Sequence, residues 1–235
     1  MKKLILLTMA VFTGSVLFSA VPAPVLDIPC ATGDMAKIKD VSANAAKVTV
    51  IRPEKLSWRT VENDQLLTFS GNPAQPRPML LVTNPTDFKF NAPFTLQIKF
   101  RTAADHNQKA RNQLMQHGYG ADRISGFSIF LFMKSLHFRF GTESKTGVKS
   151  NAKIVPIMPD TEYNAVIVYD TKTVAIYLNG KLVLPPKPAQ IPAVTQKTFT
   201  VGATASTGGG YAFQGSLRNI KVYNQALSIV EATKL

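Results

Sequence analysis

The sequence predicts an all-β protein, an antiparallel two-sheet sandwich closed by a short C-terminal helix. Three observations lead there: apolar residues recur with period two, turn-forming residues fall at hairpin spacing, and segments with a helical apolar stripe are scarce. The clearest alternation is Phe94-Thr95-Leu96-Gln97-Ile98-Lys99-Phe100-Arg101, with apolar side chains at every even position and polar ones at every odd position. Successive strand side chains point to opposite faces, so this strand turns one face to a core and the other to water. The pattern repeats in Leu136–Phe140 and in Ile220–Tyr223. Denser apolar runs at Phe127–Phe132, Ala165–Tyr169 and Val174–Leu178 predict more deeply buried strands.

The connections follow from the residues between these runs. Asp170-Thr171-Lys172 separates two strong strands and predicts a tight hairpin. Asn179-Gly180 tolerates positive φ and turns the chain before Lys181-Leu182-Val183 continues. Pro156, Pro159, Pro185, Pro186, Pro188 and Pro192 mark loops, because proline lacks the N–H a ladder needs. Residues 105–116 have helical composition without a clean stripe. Ser228-Ile229-Val230-Glu231 has capping-box spacing and predicts the terminal helix. Residues 24–44 read as a polar, weakly structured lead-in, and 45–235 as one domain with no repeat or linker.

Residues 1–23 have the layout of a secretory signal: Lys2 and Lys3, an apolar run from Leu4 to Phe18, then Ser19, Ala20 and Ala23. A retained membrane anchor is the alternative, for which the run is short. No later segment is long and apolar enough to span a bilayer, so the expected location is periplasmic, cell-surface or extracellular. The 235 residues hold 45% hydrophobic and 17% charged side chains, which excludes wholesale disorder and fits poorly with a coiled coil. A single cysteine, Cys30, excludes a disulfide framework and a cysteine zinc cluster, and it reads as a plain buried or free thiol. The net charge is +13, and removal of the leader lysines leaves a strong basic excess centred on residues 101–153 and 181–235. An exported protein of this charge is drawn to anionic partners such as acidic polysaccharides. Nucleic acid suits the charge but not an exported sandwich.

Tyr163-Asn164-Ala165-Val166-Ile167-Val168-Tyr169-Asp170 followed by Val174-Ala175-Ile176-Tyr177-Leu178-Asn179-Gly180-Lys181 resembles the central hairpin of laminin-G-like domains, of the concanavalin A-like lectin/glucanase superfamily. The stretch from Phe213 to Ser228 resembles the family's closing strand and its exit. Leu66–Gly71 and Phe94–Phe100 fit its early strands, so the likeness covers about residues 60–230. Arg218 and Asn219 stand where the family often carries acidic residues. The resemblance implies a concanavalin A-like jelly roll and, commonly, glycan or protein binding outside the cytoplasm. It also implies calcium at the rim, for which Asp105, Asp122 and Asp170 are candidates; no other cofactor is expected.

Catalytic chemistry finds thinner support. A glycosidase needs two carboxylates about 5–10 Å apart, and the i, i+2 pairs Glu62/Asp64 and Asp160/Glu162 lie in turn-like stretches where acids are ordinarily solvated. A polysaccharide lyase acting on uronates needs cations to neutralise a carboxylate and a base to remove the adjacent proton. His137 and Arg139 share one face of their strand, Lys99 and Arg101 share one face of theirs, and Lys221–Gln225 superficially resembles a motif of jelly-roll alginate lyases. His137, Arg139 and Tyr223 are therefore the lyase candidates, provided the strands are neighbours. His106, His117 and His137 lack metal-ligand spacing and read as surface residues. Gly208-Gly209-Gly210 reads as a flexible hairpin tip.

Binding is better provided for. Sugar sites combine an aromatic platform with polar groups, and Tyr119 and Tyr211 both sit beside glycines in loops. Arg111, Arg123 and Lys134 are near in sequence and suit carboxylate or sulfate groups. Lone Trp58 reads as core. The sequence thus points first to an exported, non-catalytic carbohydrate-binding module that favours acidic glycans. The alternatives are a protein-interaction or structural module contacting cell-surface or envelope proteins, and the lyase.

Overall fold

The computed structural model describes residues 20–71, 77–83, 89–105, 110–118, 126–140, 154–189, 191, 198–204 and 211–235. Residues 1–19 of the expected leader lie outside them. Among the described residues the strands are β1 (Leu26–Pro29), β2 (Lys47–Ile51), β3 (Leu56–Val61), β4 (Asp64–Ser70), β5 (Met79–Thr83), β6 (Phe94–Thr102), β7 (Asn112–His117), β8 (Phe127–Phe132), β9 (Ser135–Phe140), β10 (Ile154–Pro156), β11 (Glu162–Tyr169), β12 (Thr173–Leu178), β13 (Lys181–Pro188), β14 (Thr198–Val201) and β15 (Gln214–Tyr223). One helix, α1 (Ile229–Ala232), follows, with the capping box made by Ser228 and Glu231.

All strand pairs are antiparallel and fall into two sheets. The eight-stranded sheet runs β13-β12-β11-β6-β15-β4-β3, with β1 added beside β15. The seven-stranded sheet runs β10-β9-β8-β7-β14-β5-β2. Their facing rows make one core: Phe94, Leu96, Ile98 and Phe100 of β6 meet Phe127, Ile129 and Leu131 of β8, Phe138 of β9, and Phe199 and Val201 of β14. Phe94 and Phe127 stack across the sandwich with ring centroids 5.8 Å apart. Each such side chain contributes roughly 1.5–3 kcal/mol by leaving water. Trp58 packs half-buried at the margin of this core. Gly202, at φ +86°, lies where an added Cβ would sit 2.2 Å from the Phe69 ring, so only glycine lets the chain pass from β14 over the core.

Four expectations are corrected. Of residues 105–116, with their helical composition, 106–109 lie outside the described residues and Asn112–His117 belongs to strand β7. Pro185, Pro186 and Pro188 lie within β13, and Pro156 within β10. Both are outermost strands, where a missing N–H faces away from the ladder. The 24–44 segment is no loose lead-in: Leu26 pairs with Val222 and Ile28 with Ile220, and Leu26, Ile28 and Cys30 are buried. Asp40 ties the rest of the segment down, accepting hydrogen bonds from the backbone N–H groups of Asp27 (2.9 Å), Ser42 (2.9 Å) and Ala46 (2.7 Å). Finally, His117 and His137 are buried, not surface residues.

The outer face of the eight-stranded sheet is occupied by the protein itself. Arg218, the extra residue of a β15 bulge, holds Glu162 bidentately (2.7 and 3.1 Å) and also bonds Asp64. Arg59 (2.6 Å) and Arg101 (2.9 Å) share Asp160, and Lys221 pairs with Asp27 at 3.0 Å. Beside this ladder the C-terminal segment packs Leu227, Ala232 and Leu235 on Val166, Tyr177 and Tyr223. Thr95 fixes it by accepting from the N–H of Leu227 (2.9 Å) and donating to the carbonyl of Gln225 (2.9 Å).

Three measurements check these assignments. Asp40→Ala should lower unfolding free energy by about 2–3 kcal/mol in urea titration, since three backbone donors, that of Ala46 buried, lose a charged acceptor. Hydrogen bonds from Arg101 and then Arg59 hold the Asp160 carboxyl below its ordinary value. Its contribution is therefore complete above the unfolded-chain pKa and is lost as the pH falls through the folded one. The stability gap between wild type and Asp160→Asn should be constant above about pH 5 and shrink as the pH falls below about 4. Burial, with the charge of Asp27, pushes the Cys30 thiol up to about 12, so a thiol reagent at about pH 8 should label Cys30 only after unfolding.

Candidate functional site

The outer face of the seven-stranded sheet has a different chemistry. Along β8, Phe127, Ile129 and Leu131 point into the core, which turns Ser128 and Phe130 outward; along β9, Leu136, Phe138 and Phe140 point inward, which turns His137 and Arg139 outward. Phe130 and His137 are direct cross-strand partners, and their rings stack at 5.0 Å with only 4° between planes.

Arg111 reaches the same face because β7 contains a bulge. Leu114 and Met115 both pack into the core, and the register shifts between Gln113 and Met115. Unbroken alternation from Met115 would send Gln113 and Arg111 inward. The extra residue reverses that parity, which is the usual consequence of a bulge. The Arg111 guanidinium carbon then lies 3.8 Å from the Phe130 centroid and 4.9 Å from the Tyr211 centroid. The Arg139 guanidinium lies 4.9 Å from Phe130. Arg111 Nη2 donates to the Ser128 hydroxyl. Phe130 is therefore the hub of two guanidiniums and an imidazole.

Tyr211 is brought in by the chain that crosses back from β14. Ala203 and Ala212 form an antiparallel bridge, Tyr211 N donates to Thr204 Oγ1 at 3.0 Å, and Thr204 N donates to the Tyr211 carbonyl at 3.0 Å. The backbone is pinned while the side chain stays 43% exposed, so a phenol ring faces solvent directly beside a stacked arginine.

The residues singled out from sequence separate into three groups. Arg111, Tyr211, His137 and Arg139 come together here. Lys134 sits in the Met133-Lys134 turn between β8 and β9, exposed and with φ at +60°, and no described contact joins it to the cluster. Tyr119, Arg123, Asp122, His106 and the Gly208–Gly210 turn lie outside the described residues. Phe130 and Ser128 are hidden in the sequence because Phe127–Phe132 scans as one apolar run, and Gln113 because residues 105–116 have helical composition. The usable signal was the serine within the Phe127–Phe132 run, which marks the parity of the outward row.

The lyase set does not converge. Tyr223 lies on β15 of the other sheet, beneath the C-terminal segment, where burial first and then Asp27 push its phenol pKa up. His137 Nε2 is 3.1 Å from the carbonyl of Phe132, which can only accept, so that nitrogen carries the proton; Nδ1 is buried. Nor do β6 and β9 adjoin: β6 lies between β11 and β15, so Lys99 and Arg101 are on the opposite face of the sandwich. Lys99 there has its pKa lowered by burial and by Lys221 and Arg218. His117 is in the core, with its ring 4.6 Å from that of Phe90.

The carboxylates tell a similar story. Asp64, Asp160 and Glu162 are engaged by Arg218, Arg59 and Arg101, and Glu62 occupies the β3–β4 turn. The described calcium candidates do not fit a cation site. Asp170 closes its own turn by accepting from Lys172 N (2.8 Å) and Thr173 N (2.6 Å), and Asp105 accepts from Gln214 Nε2 at 3.2 Å. Among the described residues no three His, Cys, Asp or Glu side chains are grouped to hold a metal ion.

Comparison with known proteins agrees with this architecture. A laminin-G model described as concanavalin A-like lectin/glucanases superfamily matches residues 79–231. No curated protein matches the sequence. Among solved structures, the binding domain of botulinum neurotoxin DC in complex with rat synaptotagmin II aligns at TM-score 0.64 and 14% identity, over 90% of this chain and 51% of that one. A botulinum neurotoxin type C structure, from work on cell entry dependent upon interaction with two ganglioside molecules, aligns at TM-score 0.62 and 14% identity, over 90% and 50%. The botulinum neurotoxin serotype G binding domain gives 0.64 and 11%, over 90% and 50%. This chain spans about half the length of each, and at such identities the likeness is one of fold. With the family model covering most of the two sheets, the chain belongs to the concanavalin A-like lectin/glucanase superfamily as a laminin-G-like domain.

Proposed function

We propose that the protein is an exported carbohydrate-binding module whose site is the outer face of the seven-stranded sheet, and that it favours acidic glycans. The observation that carries this reading is Arg111, stacked on Phe130 and against the exposed ring of Tyr211. A solvent-facing phenol offers a flat surface to the apolar face of a pyranose. A guanidinium beside it meets a carboxylate or sulfate in bidentate fashion. Arg139 adds a second cation over the same ring. The opposite face of the sandwich carries its own ion pairs and C-terminal segment. Export is supported by the apolar N-terminal segment, and among the described residues no helix is long and apolar enough to cross a membrane.

The protein-interaction reading draws support from the structural relative bound to rat synaptotagmin II. The two readings separate on a panel of matched neutral and acidic polysaccharides, measured at low and at physiological salt. Unshaped attraction between surface charges is screened beyond roughly 8 Å at physiological salt. Selective binding to acidic polymers should survive there, and Tyr211→Ala and Arg111→Ala should each weaken it about tenfold without lowering thermal stability. Binding that vanishes at physiological salt, or is unchanged in both variants, would reject this site and leave a protein partner as the reading to pursue. Unsaturated product absorbance from uronate polymers would instead establish the lyase.

A further inference from the structure

On the outer face of the eight-stranded sheet each carboxylate of the ladder has its cation. Asp27 has Lys221, Asp64 and Glu162 have Arg218, and Asp160 has Arg59 and Arg101. Lys99 stands among these groups with no carboxylate of its own. Its ammonium makes no hydrogen bond or ion pair among the described residues, yet the side chain is half-buried. Lys221 and Arg218 are near enough to act on its charge, and the bidentate hold of Arg218 on Glu162 keeps that neighbouring acid from it. A cation drawn partly out of water beside like charges is unfavourable until an anion meets it.

Lys99 is also the centre of a row of amides. Its Cα partners are Asn164 on β11 and Asn219 on β15, and Ile98 and Phe100, which point into the core, turn this row outward. Gln97 Nε2 donates to Asn164 Oδ1 at 3.0 Å and to the Leu235 carbonyl at 2.7 Å. That fixes the Asn164 amide and leaves its Nδ2 without a partner. In Asn219 the Oδ1 is the buried end of the amide, so Nδ2 is the end that meets solvent. The row therefore sets one hydrogen-bond donor on each side of a cation.

We propose that the row Asn164, Lys99 and Asn219 is a second binding site, which takes the carboxylate of an acidic sugar on the face opposite Arg111 and Tyr211. It stands on its own observations and goes beyond the reading given above. Lys99 meets the carboxylate as a point charge with rotatable donors. Each amide lies one strand spacing away, about 4.8 Å, so it reaches ring hydroxyls beside the carboxylate. An inorganic oxyanion is too small to touch both amides, and a neutral hexose leaves the Lys99 charge unanswered. A uronic acid satisfies all three.

The test titrates the whole protein carrying Arg111→Ala, which silences the other face, with galacturonic acid and with galactose as its neutral counterpart. The acid should bind about tenfold more tightly or better, the scale of a hydrogen bond to a charged group. Adding Lys99→Met, which keeps the aliphatic stem, should erase that preference without lowering the melting temperature. Asn164→Asp keeps the acceptor for Gln97 and places a carboxylate beside Lys99, so it too should remove uronate binding. In the wild type, galacturonic acid should protect Lys99 from acetylation, read residue by residue by mass spectrometry. No preference for the acid in the Arg111→Ala background, a preference that persists in both added variants, or acetylation of Lys99 undiminished by the sugar would overturn this site. None of those results touches the reading for the seven-stranded sheet, which fails only if polysaccharide binding by the wild type ignores Arg111 and Tyr211.

Discussion

The contact between the two inward rows of side chains, centred on Phe94 against Phe127, governs everything else in this molecule. Because strand side chains alternate, burying one row of β6 and one row of β8 decides at once which residues face outward on both sheets. The outward rows are then free to carry different chemistry. A change of parity in any strand would exchange core for surface along its length, so the few places where parity does change are the informative ones. Besides the register shifts at the outermost strands β13 and β10, there are bulges in β7 and β15, and each lies beside a key arginine: Arg111 follows from the first and Arg218 is the extra residue of the second.

The two arginines have opposite fates, which gives the sandwich its two unlike sides. Arg218 is turned toward Glu162 and Asp64, and its charge knits β15 to β11 and β4. Partly exposed pairs of this kind add little stability individually, and they gain from being linked into a ladder. Arg111 is turned toward two aromatic rings and a buried hydroxyl. One face carries a ladder of ion pairs and the other a cluster of aromatic rings and guanidiniums. The arginine standing where relatives often carry an acid is thereby accounted for: it serves the ion-paired face.

The margins of the sheets show how the fold protects itself. Prolines in β13 and β10 sit on outermost strands, where they blunt edges that would otherwise offer a ladder to another chain. The early segment adds β1 to the middle of the closing strand, and Asp40 gathers backbone donors on both sides of it. Val21 packs against the C-terminal cluster, so the beginning and end of the described chain meet on the ion-paired face, away from the aromatic one.

Much of this was legible in the residues alone. The alternation of Phe94–Arg101 and Leu136–Phe140, the Asp170–Lys172 and Asn179-Gly180 turns, and the Ser228 cap are local signals, and each reappears as a strand, a hairpin or the helix. Local pattern suffices there because φ/ψ preference and period are properties of neighbouring residues. The lead-in and β7 were missed for the opposite reason. Leu26, Ile28 and Cys30 alternate too briefly to stand out, and become a strand only through β15, nearly two hundred positions away. At the site, sequence proposed Arg111 and Tyr211 for binding, and His137 and Arg139 for catalysis, as separate ideas. Only the tertiary structure could join them around Phe130, separate them from Tyr223, and reveal Ser128 and Gln113. Sheet order and bulge parity are settled by long-range packing, and no window of sequence contains that information.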